Sequence, residues 1–279
     1  MIIKKLKKKN NKAELQNTRK LYIDNIRWGI IILVVIFHVV DIFNSTGAIL
    51  HFNSPGIAAF DSFAYFVYPW FMGCLFVVAG ISARYSLNKR NAKEFAKGRV
   101  LKLLIPFLAG MLLLAPLTTI LSFTATNSWY QFAAVPPVVL YFVLIAIGMG
   151  HLWFILELFV VSMIFLLIRH FDKKDKIWNL GGKTSMGILL LTYIPLLGAA
   201  QVLNFLAVFR NVLFLCLFLL GYFVFSHDNI QEMLKKYHAP LLITAIILFI
   251  IQIPVYWGQN FTGIVNQPLV MLYNWIMIL

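Results

Sequence analysis

Beyond residue 20, long apolar runs alternate with short polar connections to the end of the chain. Eight runs stand at about 22–43, 65–87, 103–123, 151–169, 186–203, 210–226, 240–257 and 262–279. Each approaches the ~20 residues with which an α-helix crosses the hydrocarbon core of a bilayer. A ninth, shorter run covers 135–149; it contains Pro136 and Pro137 and ends in Gly148, Met149 and Gly150. A run of that length reads as interfacial or re-entrant rather than spanning. The pattern predicts an all-α fold, a polytopic transmembrane helical bundle of about eight spans plus that short segment. It divides the chain into a basic tail, 1–20, and a membrane domain, 21–279. The last run reaches Leu279 with no polar flank, which leaves open that the membrane domain is incomplete there.

Composition agrees with this reading. Of the 279 residues, 61% are hydrophobic and 12% charged. A soluble domain carries roughly 25% charged residues, so there is too little polar surface here to cover a water-soluble globule. The net charge of +14 would suggest nucleic acid as a partner in a soluble protein. In a membrane protein it has a simpler source, because Lys and Arg collect in cytoplasmic loops. The lipid bilayer is therefore the expected partner, and no nucleic acid is expected. The basic tail ahead of the first run resembles a secretory signal, but the run is too long and lacks a cleavage site, so an uncleaved anchor is expected.

The distribution of charge tests the span count. The connection after the second span carries Lys89, Arg90, Lys93, Lys97, Arg99 and Lys102, and the one after the fourth carries Arg169, Lys173, Lys174 and Lys176. Lys235 and Lys236 follow the sixth, whereas segments 44–64, 124–150 and 258–261 hold no Lys or Arg; the connection near Arg210 is the one exterior connection with a positive charge beside it. This segregation predicts an inner-membrane protein with a cytoplasmic N-terminus. Counting 135–149 as a full crossing would invert every later loop.

Ionisable groups inside a membrane are costly and mark candidate sites. The first span holds Asp24, Arg27, His38 and Asp41. Eleven residues separate Arg27 from His38, which returns them to within roughly 20° of one helix face, about 16 Å apart along the axis. A cation at the inner end can hold an anionic donor, and a histidine deeper in the span can take a proton from an attacking hydroxyl. Asp41, three residues on, can orient the imidazole. The competing reading is structural: Arg27 snorkels to the interface and His38 bonds a neighbouring helix. Arg99 and Lys102, three apart, suit a phosphate; the surrounding Lys89, Arg90, Lys93 and Lys97 read as topology signals, and Arg84 fits either role. His151, Trp153 and Glu157 open the fourth span. Trp153 has the place of an interfacial belt residue, and Glu157 is either an interhelical bond or part of an acceptor or proton site. His51, His170, His227 and His238 fall in loops without evident partners. Cys74 and Cys216 read as packing residues, and no Cys/His spacing suggests a metal.

Several of these segments together resemble a known family. Leu21-Tyr22-Ile23-Asp24-Asn25-Ile26-Arg27-Trp28 followed by His38, then Phe76 to Ala83, Phe95 to Phe107 and Gly150-His151-Leu152-Trp153-Phe154 are similar, in order, to the acyltransferase-3 family of membrane acyltransferases, the type that modifies glucans and acetylates O-antigen. The resemblance covers roughly residues 21–160. It implies transfer of an acyl group, acetyl or succinyl, from cytoplasmic acyl-CoA to a hydroxyl of a cell-envelope carbohydrate or a small-molecule acceptor, with no metal. The family's Arg-x10-His motif falls on Arg27 and His38, which implies His38 as general base. Its Arg-x-x-Arg motif falls on Arg99 and Lys102, with lysine replacing the second arginine, so the charge survives without the bidentate fork. The resemblance thus assigns Arg27, Arg99 and Lys102 to the CoA phosphates. The alternatives are a transporter or flippase using the same charges as a pathway, or a truncated, inactive scaffold. Matching broken helices in two repeats would favour a carrier, and none is evident in the sequence.

Overall fold

A computed structural model describes residues 2–45, 56–132, 134–172, 174–205 and 209–279, with backbone alone for 2–20, Gln131, His151, Phe205 and Phe209. His51 and Lys173 lie outside the described residues. The basic tail and the first span form one helix, α1 (Ile2–Asp41). Next come α2 (Ala58–Val67) and α3 (Phe71–Leu87), separated at Pro69, whose ring cannot continue a helical ladder. α4 (Ala92–Arg99) runs through a π-helical turn, Val100–Leu104, into α5 (Ile105–Ala125). Then follow α6 (Pro137–Ile147), α7 (Trp153–Phe171), α8 (Lys176–Gly181), α9 (Met186–Leu191) and α10 (Tyr193–Ala199). A two-residue antiparallel pair joins Asn204–Phe205 to Phe209–Arg210. The chain closes with α11 (Asn211–Leu220), a second π-helical turn at Gly221–Phe225, α12 (Asp228–Tyr256), α13 (Phe261–Ile264) and α14 (Pro268–Ile278).

Among the described residues, five helical segments are long and apolar enough to cross a membrane: Leu21–Asp41, Ala58–Leu87, Ala92–Ala125, Trp153–Phe171 and Asp228–Tyr256. The predicted runs at 186–203, 210–226 and 262–279 correspond to shorter helices, and the run at 135–149 to the short helix Pro137–Gly150. Pro195 has no amide to give the carbonyl of Leu191, and the helical ladder is interrupted at Thr192, between α9 and α10. His170 and His238, expected in loops, are helical. The stretch Gln231–Lys236 is rich in strong helix formers, so α12 begins well before its apolar run.

α3 is the central element, buried on nearly all sides. It crosses α11 where glycines let the backbones meet: Gly80 lies against the carbonyl of Phe218, and Gly221 against that of Val77, with no room for a Cβ at either. Close approach through small residues is how membrane helices gain packing without a hydrophobic drive between them. Phe76 and Phe214 stack across the crossing, centroids 4.4 Å apart. α1 packs on the bundle through a seven-residue repeat, Ile23, Ile30, Phe37 and Asn44, all buried. Outward-facing residues are apolar: Leu112, Leu113, Leu117 and Leu121 on α5, and Ile243, Ile247 and Ile250 on α12. Water would make such a surface a large sticky patch, and lipid makes it the proper exterior. The protein is a multi-pass membrane protein.

Candidate active site

The basic segment after α3 is shaped by local chemistry. Asn91 caps α4, its side chain accepting from the amide of Glu94 at 2.9 Å while Glu94 accepts from the amide of Asn91 at 3.2 Å. This capping box fixes where α4 starts and hence where its charges point. The π-helical turn at Val100–Leu104 follows at once; such turns widen the helix locally and recur at functional sites.

Arg27 from α1, Arg99 from α4 and Lys102 from the π-helical turn converge on one cavity of about 380 Å³. Arg27 is held in place: one guanidinium nitrogen donates to Asp24 at 3.1 Å and the other to the Ser82 hydroxyl at 2.8 Å. Ser82 in turn donates to the carbonyl of Val78 at 2.8 Å. Arg99 lies over the ring of Phe95, 4.8 Å from its centroid. The Arg27 and Arg99 guanidiniums are close enough to repel each other, and none of the residues lining the cavity is acidic. Asp24, bonded to Arg27 just outside the lining, offsets only one of the four cations around the cavity, and the surplus positive charge suits an anion.

From this cationic mouth the cavity runs along α3 through Ser86, Ser82 and Ala79 to Leu75, about 16 Å of helix. Ile31, Phe154 and Leu158 make its deeper wall apolar. The Arg27–Ser82 bond sets the level of α1 against α3 at the mouth. At the other end Phe37 and Phe71 meet with centroids 5.2 Å apart. The two helices therefore run antiparallel in step, and His38 stands level with Phe71. That is one turn, about 6 Å, beyond the deep end of the slot at Leu75.

His38 is half-buried, edge-on to Phe37 at 5.7 Å. Asp41 is fully buried, one oxygen accepting from Asn44 at 2.7 Å. Its other oxygen has no hydrogen-bond partner among the described residues. Trp153 and Glu157 share the α7 face next to the one that lines the slot. Trp153 stacks on Phe214 at 5.6 Å, and Glu157, also buried, accepts from Asn211 at 2.6 Å. The slot instead takes Phe154 and Leu158 from this helix. The side chain of His151 lies outside the described residues. The structure thus brings Arg27, Arg99 and Lys102 together and leaves His38, Asp41, Trp153 and Glu157 outside the slot lining.

Four residues gain significance from the structure. Ser82 orients Arg27, and Arg90 lines the slot; neither stood out in the sequence, Arg90 being one of several scattered cations. Arg84 is a structural centre: it pairs with both oxygens of Asp175 at 3.0 and 3.2 Å, donates to the Tyr222 hydroxyl at 3.2 Å and lies 4.0 Å over the ring of Trp178. Arg210 is buried, with the Pro69 carbonyl at 3.4 Å and the Met271 sulfur at 3.7 Å. Tyr68 is also buried, against Phe37, Phe71 and Phe261. A charged residue beside an apolar run was the only sequence signal for Arg210.

No curated protein and no solved structure matches this chain. A family model described as an acyltransferase domain matches residues 20–279. That match spans the apolar part of α1 (Leu21–Asp41), the slot, α7 and everything beyond them, and by it the chain belongs to the acyltransferase-3 family.

Proposed function

We propose that the protein moves an acyl group, acetyl or succinyl, from cytoplasmic acyl-CoA to a hydroxyl of a cell-envelope carbohydrate or other exposed acceptor, as an inner-membrane enzyme with its N-terminus in the cytoplasm. The observation that carries this reading is the convergence of Arg27, Arg99 and Lys102, from three segments, on a slot with a cationic mouth and an apolar depth. That gradient matches a donor with phosphates at one end and a thioester at the other. The phosphates pair with the three cations. The pantetheine arm follows α3 inward and brings the thioester toward Leu75. His38, one turn further, takes the proton of the acceptor hydroxyl. The hydroxyl oxygen bonds to the carbonyl carbon, the carbon–sulfur bond breaks, and the CoA thiolate leaves and is protonated. Asp41 stabilises the imidazolium, and Trp153, Glu157 and His151 belong to the acceptor side.

The test is binding of radiolabelled acetyl-CoA and succinyl-CoA to the detergent-purified chain, wild type and Arg99→Ala. Saturable binding of either donor that weakens tenfold or more in the variant is expected, since hydrogen bonds to charged groups contribute about 1.5–3 kcal/mol. Absence of saturable binding for both donors would sink the reading.

A further inference from the structure

A second cavity, of about 940 Å³, adjoins the slot; Ser86 and Arg90 line both. Sites for drug-sized ligands measure about 300–1,000 Å³. At about 380 Å³ the slot is at the small end of that range, and an acyl-CoA, with its nucleotide, pyrophosphate and pantetheine, is larger than such a ligand. The part that remains outside has to lie beyond Ser86 and Arg90, where this second cavity opens.

Its walls divide by role. Arg84 is committed to Asp175, Tyr222 and the face of Trp178, and so forms a rigid floor. Trp178 is covered on its other side by His227, stacked 3.9 Å away, and its indole nitrogen donates to Ser226 at 2.8 Å. Both faces of Trp178 are thus occupied, so a ligand meets Tyr85 and the polar groups on the rim instead. Lys89 and Arg90 stand exposed where α3 ends, and Asp228 stands exposed at the start of α12. A carboxylate repels a phosphate and accepts from an exocyclic amine, whereas an exposed Lys–Arg pair does the reverse. The rim thus carries groups that suit both a phosphate and a base amine.

We propose that this second cavity receives the 3′-phosphoadenosine half of acyl-CoA, with Lys89 and Arg90 reading the ribose 3′-phosphate and Asp228 on the side of the base. This rests on the acyl-CoA reading above and adds to it a specificity: the protein distinguishes CoA from its 3′-dephospho form. The rival occupant, an anionic lipid headgroup at the same rim, predicts no such distinction.

The experiment compares equilibrium binding of acetyl-CoA and 3′-dephospho-acetyl-CoA to the purified full chain, as wild type and as Lys89→Ala. Lys89 lines the second cavity alone, so its replacement leaves the slot intact. The wild type is expected to bind acetyl-CoA about tenfold or more tightly than the dephospho form, the scale of one charged hydrogen bond. Lys89→Ala is expected to lose most of that preference while its affinity for the dephospho form stays unchanged, which also reports that the variant is folded. Equal affinity of the wild type for the two donors overturns this proposal and leaves the acyl-CoA reading standing. So does a preference that survives in both Lys89→Ala and Arg90→Ala. Failure to bind either donor overturns both.

Discussion

The two ends of the first span hold their charges in different ways. At one end Arg27 is about half exposed to the slot, braced by Asp24 and Ser82 and facing a second guanidinium, with no acid in the lining. At the other end Asp41, Asn44, Tyr68 and Arg210 are all buried, and Tyr68 packs against Phe37, Phe71 and Phe261. The first arrangement concentrates positive charge around an opening, which favours an anionic ligand. The second mixes signs and fills its space with aromatic rings, which favours a fixed geometry. On the proposed reading, donor capture and the shaping of the reaction centre are separated along one helix, and variants at the two ends are expected to fail in different assays.

The largest expected effect divides them by chemistry. His38→Ala is expected to lower acyl transfer about 100-fold or more, the usual scale of a general base, while acetyl-CoA binding stays within a factor of two or so, because His38 does not line the slot. Rate and affinity falling together would place His38 in donor binding and erase the division.

Next in size is a contrast in stability. Arg210→Ala removes a large buried side chain that touches Pro69, Met271 and Phe214, and is expected to cost about 2–5 kcal/mol, as other large-to-small changes in packed interiors do. Arg27→Ala is expected to change the thermal midpoint of the unliganded protein little, because the relieved repulsion with Arg99 offsets the lost bonds to Asp24 and Ser82, and to weaken donor binding about tenfold. Thermal unfolding in detergent with and without acetyl-CoA checks both. A large drop for Arg27→Ala without donor would mean that the cations at the mouth serve structure.

A smaller effect concerns the residue where the chain departs from its family motif. Lys102→Arg is expected to tighten acetyl-CoA binding by a few-fold, because the guanidinium fork meets a phosphate in two places and the ammonium in one. Weaker binding would show that the π-helical turn has no room for the longer fork.

How much of this was legible follows from which signals are local. The membrane fold and the order of its helices follow from apolar runs, which each segment carries by itself. The Arg27, Arg99 and Lys102 set was legible because helix spacing and family motifs both mark it. Crossing lengths were less so: α9 and α10 part at Thr192, ahead of Pro195 and its missing amide, which hydropathy does not register. Ser82 was invisible because its role is a contact 55 residues away, with Arg27. The choice of Phe154 and Leu158 over Trp153 and Glu157 depends on how α7 is rotated, and the packing of Trp153 on Phe214 sets that rotation. Arg84 and Asp175 find each other across 91 residues, a pairing no periodicity encodes.

The smallest expected effect lies outside the spans, at His227. Its imidazole stacks on Trp178 and bonds the Trp178 carbonyl at 2.8 Å. Burial, reinforced by the charge of Arg84, holds its pKa below the ordinary 6.5 against the opposing pull of backbone carbonyls. The unfolded chain therefore takes up this proton first as pH falls. Stability is full above about 6.5 and declines as pH drops from there through the folded value. His227→Asn removes that proton uptake. The drop in thermal midpoint between pH 7.5 and 5.5 is expected to be larger for the wild type than for the variant, and the difference of the two drops cancels the carboxylates and other histidines common to both. Equal drops would mean that the Trp178 stack gives His227 no protection from water. The wall that separates the second cavity from the protein interior would then be looser than the fixed floor of Arg84, Trp178 and His227 requires.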